Sequence, residues 1–161
     1  MSDESEDTVR APKPGSQVLA FHRRRIVVRK VEYFYTSTRD KSADGSRFLS
    51  RLAARNVDLM ALTAVPFGPD KAQFTMFPTI PSSLIEAARA EKIALDGPHF
   101  SLLVQGIDHV GAFAGVLSTL AAANVDVYSI QGMTDGRGGF SYIVYLKPSD
   151  IDRALRSLTT F

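Results

Sequence analysis

The 161-residue sequence has no cysteine, which removes disulfides, thiolate nucleophiles and sulfur-ligated zinc together. Histidine is scarce. Only His22, His99 and His109 occur, and none stands in the H-x-x-x-H or H-E-x-x-H spacing that sets two imidazoles on one metal. Nucleophilic catalysis needs an activated Ser, Cys or Lys beside a base, and no such spacing surrounds the three histidines; no catalytic residue, metal or cofactor is expected. No stretch approaches the ~18 consecutive apolar residues that span a bilayer. The first seven residues are acidic with no apolar run after them, which is not the pattern of a secretory signal, so a cytoplasmic protein with no membrane partner is expected. Charge of one sign is also lacking: the net charge is +2, too weak a bias to argue for nucleic acid. Glycines 136, 138 and 139 lie between two strand-like runs, not between a strand and a helix, so they make no phosphate loop.

What is present is a repeat. A hydrophobic content of 45% with 22% charged residues supports a real core. Leu52-Ala53-Ala54-Arg55-Asn56-Val57-Asp58 returns as Leu120-Ala121-Ala122-Ala123-Asn124-Val125-Asp126, 68 residues later (52 to 120), with six of seven positions the same. Asp40 answers Asp108, and Phe48, Leu49 and Leu52 answer Val116, Leu117 and Leu120 at the same offset. Pro81-Ser82 answers Pro148-Ser149 one residue short, 67 apart (81 to 148), which suggests a residue lost from the hairpin turn of the second copy.

Each copy reads in the same order. In the second, residues 100–104 form an apolar run, a strand. Residues 111–123 carry apolar side chains at 113, 116, 117, 120 and 121, the stripe of a helix packed on one face. Asn124 suits the left-handed geometry that ends a helix. Residues 125–133 and 140–146 read as strands joined by a turn at Asp135-Gly136. Pro148-Ser149-Asp150 opens a last helix, with Ser149 and Asp152 at capping-box spacing. The first copy places strands near 31–38, 57–65 and 72–77 and helices near 44–55 and 82–92, with a helix cap at Asp44. The expected class is α+β: two βαββαβ units of the ferredoxin-like split type, antiparallel sheets with helices on one face. Residues 92–95 offer a fourth strand to the first copy. The second copy ends at its helix, and the Val-, Ile- and Phe-rich residues 17–31 are expected to cover its open sheet edge. The chain divides into a disordered tail (1–17), a basic strand-like extension (18–30), a first unit (31–97) and a second (98–161).

The second copy resembles an ACT domain. Asp108-His109-Val110-Gly111-Ala112-Phe113 resembles the family's loop between first strand and first helix, and Val125-Asp126-Val127 resembles the opening of its second strand. The resemblance covers about residues 31–161. It implies a stand-alone regulatory protein that binds an amino acid or similar metabolite, forms a homodimer and acts on a partner such as a metabolic enzyme. The implied ligand residues are Asp108, His109, Val110, Gly111, Ala112, Phe113, Val125, Asp126 and Val127. A helix start carries unpaired N–H groups and partial positive charge, which favour a carboxylate, and Asp126 would face an ammonium. Structural roles stand beside these: Asp108 as a helix N-cap, His109 as a surface residue, and Asp126 as a fold residue, since Asp58 repeats it. The first copy has Ala43 where the second has Gly111, and is expected to lack the site.

Two other readings remain open. RNA-recognition domains share the topology, and Gly139-Phe140-Ser141-Tyr142-Ile143-Val144-Tyr145 resembles their third-strand motif. The basic residue before the glycine is replaced by Gly138, and Leu103 falls where the first strand needs a stacking aromatic. His22-Arg23-Arg24-Arg25 and Arg29-Lys30 could grip phosphates but also suit a solvated edge. The third reading is a structural or protein-interaction module with no ligand.

Overall fold

The computed structural model describes residues 26–39 and 43–160. The tail and most of the basic extension lie outside the described residues. The elements run β1 (Val27–Thr38), α1 (Ala43–Ala54), β2 (Leu59–Pro66), β3 (Ala72–Pro78), α2 (Pro81–Ala90), β4 (Asp96–Ile107), α3 (Ala112–Ala122), β5 (Val127–Thr134), β6 (Gly139–Leu146), a 3-10 turn (Pro148–Asp150) and α4 (Ile151–Thr159). All strands pair antiparallel in one six-stranded sheet of order β2-β3-β1-β4-β6-β5. The fold is α+β, two ferredoxin-like units merged through their central strands.

The merger has a definite register. β1 pairs with β4 from Val27↔Gln105 through Tyr33↔His99. β1 is therefore the first strand of its own unit and the fourth of the second, while β4 is the reverse. The open edge expected in the second unit is occupied by Val27–Tyr33. Residues 92–95 are not a strand. α2 ends with Lys92 in the left-handed region (φ 55°), closed by Lys92 N–H to Arg89 O and Ile93 N–H to Ala88 O. Ile93 and Leu95 instead pack against the first core. Strand pairing starts at Asp96, so the stretch joining the units is itself part of β4.

The repeat is exact in register. Phe34↔Met76 and Leu62↔Met76 in the first unit recur 68 residues on as Leu102↔Val144 and Ile130↔Val144. Glu32 pairs with Phe100, its own twin, so an internal two-fold axis passes there. Because the β2–β3 and β5–β6 hairpins keep one offset, the residue missing from the second copy is not in the turn. It is lost where Thr79-Ile80-Pro81 is answered by Lys147-Pro148.

Three cores hold the sheet. Phe34, Phe48, Leu52, Phe74, Met76 and Leu84 are buried beneath α1 and α2. Leu102, Val104, Val116, Leu120, Val144, Ile151 and Leu158 are buried beneath α3 and α4. Each such side chain stabilises by about 1.5–3 kcal/mol. On the helix-free face, Val31, Phe77, Leu103 and Ile143 form a smaller cluster. Among the helix starts, the Ser149–Asp152 capping box does not form: α4 follows a 3-10 turn with no side-chain cap. Asp150 accepts instead from Arg153 Nη2 at 2.6 Å, and Arg153 also reaches Asn124 O at 2.9 Å, tying α4 to the end of α3. Asp44 lies within the first turn of α1 rather than ahead of it, paired with Arg47.

Candidate functional site

The loop after β4 is where the sequence places a site. β4 ends at Ile107, and Asp108 N–H donates to Gly138 O at 2.7 Å, so the β5–β6 hairpin holds the loop's start. That hairpin is itself tied by Asp135, whose Oδ1 accepts from Arg137 N–H (2.7 Å) and Gly139 N–H (2.8 Å). These two backbone donors, Gly139 foremost, hold its carboxyl below the usual range. His109 is exposed, its Nδ1 3.0 Å from Val110 O, and Val110 is fully exposed.

Asp108 is not the N-cap of α3. The N-cap is Gly111, left-handed at φ 85°, with no side-chain cap. The left-handed step at Gly111 suits a residue without Cβ and separates Asp108 from the first turn of the helix. Nothing lies within 4 Å of where a Gly111 Cβ would stand, so the helix start is open to approach. Ala112 is buried in the core, whereas Phe113 is exposed at 38% and sets its ring edge-on to Tyr142, centroids 5.1 Å apart. Burial raises the Tyr142 phenol, and the Asp108 carboxylate raises it further. Phe113 and Tyr142 are thus in ring contact beside this loop.

The second segment has mostly structural work. Asn124 is left-handed at φ 53°. Asn124 N–H bonds to Ala121 O and Val125 N–H to Leu120 O, the paired bonds of a Schellman stop. Asn56 and Val57 repeat them onto Ala53 O and Leu52 O. Val125 is buried, and Val127 packs on the second core. Asp126, its side chain 80% exposed, pairs with Lys147 at 3.5 Å. Its twin Asp58 accepts from Thr79 Oγ1 at 2.7 Å, and Thr79 is the twin of Lys147. The aspartates therefore share one tie, from the entrance of the second strand to the end of the third.

A larger concavity lies elsewhere. Thr63 of β2 donates to Gln131 Oε1 of β5 at 3.0 Å, although these are the two outermost strands. A flat sheet would hold them five spacings of ~4.8 Å apart, so the sheet curls with its helix-free face concave. That face holds a cavity of about 530 Å³ lined by Arg29, Val31, Leu103, Gln105, Gln131 and Ile143, among others. No sequence motif pointed to it. Its lining is gathered from all six strands and becomes visible only with the register. Two of the three aromatics of the RNA-like motif face the other way: Phe140 and Tyr142 are buried beneath the helices, stacked at 4.4 Å, while Tyr145 lies on the helix-free face beside Tyr33. Among the described residues no cluster of His, Asp and Glu can hold a metal, and no helix is long and apolar enough to cross a membrane.

Solved structures share this architecture. The protein BT0572 from Bacteroides thetaiotaomicron superposes with a TM-score of 0.72 at 16% identity, over 83% of this chain and 89% of that one. The ligand-free regulatory subunit of aspartate kinase from Thermus thermophilus gives 0.58 at 14% identity, over 84% and 95%. That from Thermus flavus gives 0.56 at 12%, over the same shares. The chain has the tandem ACT fold. At these identities the likeness is one of fold. No family model matches the sequence, and no curated protein matches it.

Proposed function

We propose that this tandem ACT chain is a non-catalytic, cytoplasmic regulatory protein that binds an amino acid or similar metabolite at the start of α3. The observation that carries the reading is the uncapped helix start at Gly111, open on the side away from the core. A ligand carboxylate would take the first-turn N–H groups that follow Ala112, whose own N–H already donates to His109 O at 3.0 Å, and Phe113 would flank its side chain. Asp126 follows the far end of the 11-residue α3, about 16 Å along the helix from Gly111, so within one chain it keeps its exposed pairing with Lys147 and does not meet the ammonium of that ligand. The solved regulatory subunits of like fold support a regulatory role over a catalytic one. Val110, fully exposed, suits a wall completed by a second copy, and the proposed assembly is a homodimer acting on a metabolic enzyme. Binding would act by shifting the population of such assemblies. Burial of Phe140 and Tyr142 leaves the RNA-binding alternative with only Tyr145 of its three motif aromatics on the helix-free face.

The test is a thermal-shift screen over the amino acids. A hundredfold excess over Kd stabilises by ~2.7 kcal/mol, a clear rise in Tm. Gly111→Val, strained at φ 85°, should abolish the shift, and Asp126→Ala, at the other end of α3, should leave it unchanged. A screen with no shift for any amino acid refutes the reading.

A further inference from the structure

The concave face is asymmetric across the internal two-fold axis. At one end it is packed with rings: Tyr33 lies 5.3 Å from Tyr35, 5.2 Å from Phe77, 5.3 Å from His99 and 5.4 Å from Tyr145. The twins 68 positions away are smaller. Ser101 stands for Tyr33, Leu103 for Tyr35, and Val31 occupies the place of His99. The register puts Val31 opposite Ser101 and Arg29 opposite Leu103, so the small residues gather at the other end. The ~530 Å³ cavity opens there. Its size falls within the roughly 300–1,000 Å³ of small-molecule sites.

The lining also has a sign. Val31, Leu103 and Ile143 are buried and apolar, and Arg29 is the one charged residue of the lining. The guanidinium is aimed by a neutral acceptor: Arg29 Nη2 donates to Gln105 Oε1 at 3.2 Å, and Gln105 Nε2 donates to Ser141 Oγ at 3.1 Å. Its remaining donors have no carboxylate partner among the described residues. Gln131 Oε1 accepts from both Thr63 and Tyr145, which turns its NH2 group into a second donor.

We propose that this cavity binds an amphipathic organic monoanion, a carboxylate on an apolar chain or ring, with the carboxylate at Arg29 and the apolar body over Val31, Leu103 and Ile143. A zwitterion fits less well, because no acidic residue lines the cavity to meet an ammonium. The site is separate from the helix start at Gly111 and stands or falls independently of it.

Titration of the full chain with 1-anilinonaphthalene-8-sulfonate, displaced by decanoate, tests the proposal. Displacement by one decanoate per chain is expected. Arg29→Gln, at an exposed position, should weaken decanoate at least tenfold and leave decanol unchanged. Leu103→Tyr restores the bulk of its twin and should abolish decanoate binding, provided far-UV circular dichroism is native; if it does not fold, Arg29→Gln decides. Gly111→Val should bind decanoate like wild type. Failure of decanoate to displace the dye, equal decanoate affinity in Arg29→Gln, or variants that change only self-association would overturn it.

Discussion

Asn56 and Asn124 show how backbone geometry at one position can dictate its side chain. Both take a left-handed backbone after a helix, which costs most residues about 1–2 kcal/mol and asparagine less. Asn124→Ala is therefore expected to destabilise by ~1 kcal/mol, and Asn124→Gly to stay within about 0.5 kcal/mol of wild type. Urea denaturation midpoints measure both. An alanine as stable as the asparagine would show that the cap is not strained. The same residues explain the legibility of the repeat. Its clearest seven positions are a helix stop followed by a strand start, where backbone geometry dictates side chain. Gly111 was legible as a special position for the same reason. The N-cap role expected of Asp108 was not met, because a left-handed residue intervenes and local spacing does not reveal where a helix starts.

At the scale of elements, the stripe of Val116, Leu117 and Leu120 and the alternation in residues 140–146 identify α3 and β6, since each pattern follows from burying one face. What joins the helices was not legible, because it is long-range and polar. Glu91, just past α2, accepts from Arg51 Nε at 2.7 Å and Arg55 Nε at 3.0 Å on α1. The hydrogen bond from Arg51, then that from Arg55, hold its carboxyl below its ordinary value of 4.5. A depressed carboxylate contributes stability that is present above the unfolded value and lost as pH falls through the folded one. Wild type should accordingly exceed Glu91→Gln in stability at pH 7, with the gap closing below pH ~4.5. Urea midpoints from pH 7 to pH 3 follow this directly, and a gap that stays constant over that range would exclude the pairing as its source.

For the whole molecule, the exchange of β1 and β4 governs behaviour. The bare edge of the second unit was legible, and residues 17–31 were expected to cover it. That the covering strand is β1 itself, shared by both units, leaves no trace in local periodicity, so the sequence suggested two sheets where one exists. The cavity was hidden for the same reason: the contrast of Tyr33 and Tyr35 with Ser101 and Leu103 has meaning only once those residues share a face. Because each unit borrows its fourth strand, a fragment ending at residue 95 and one starting at 96 should each lack a cooperative thermal transition alone. Mixed one to one, they should recover it, as read by circular dichroism. A sharp transition in either fragment by itself would show that the units are independent. The shared strands also order events during synthesis. β1 pairs with residues as late as Gln105, so no unit can close its sheet until most of the chain has left the ribosome. Until then the edge of β1 that faces β4 waits unpaired. Such long-range closure is slow and exposes sticky strand edges to neighbouring nascent chains. Translation that pauses before β4 would thus lower soluble yield without altering the finished protein.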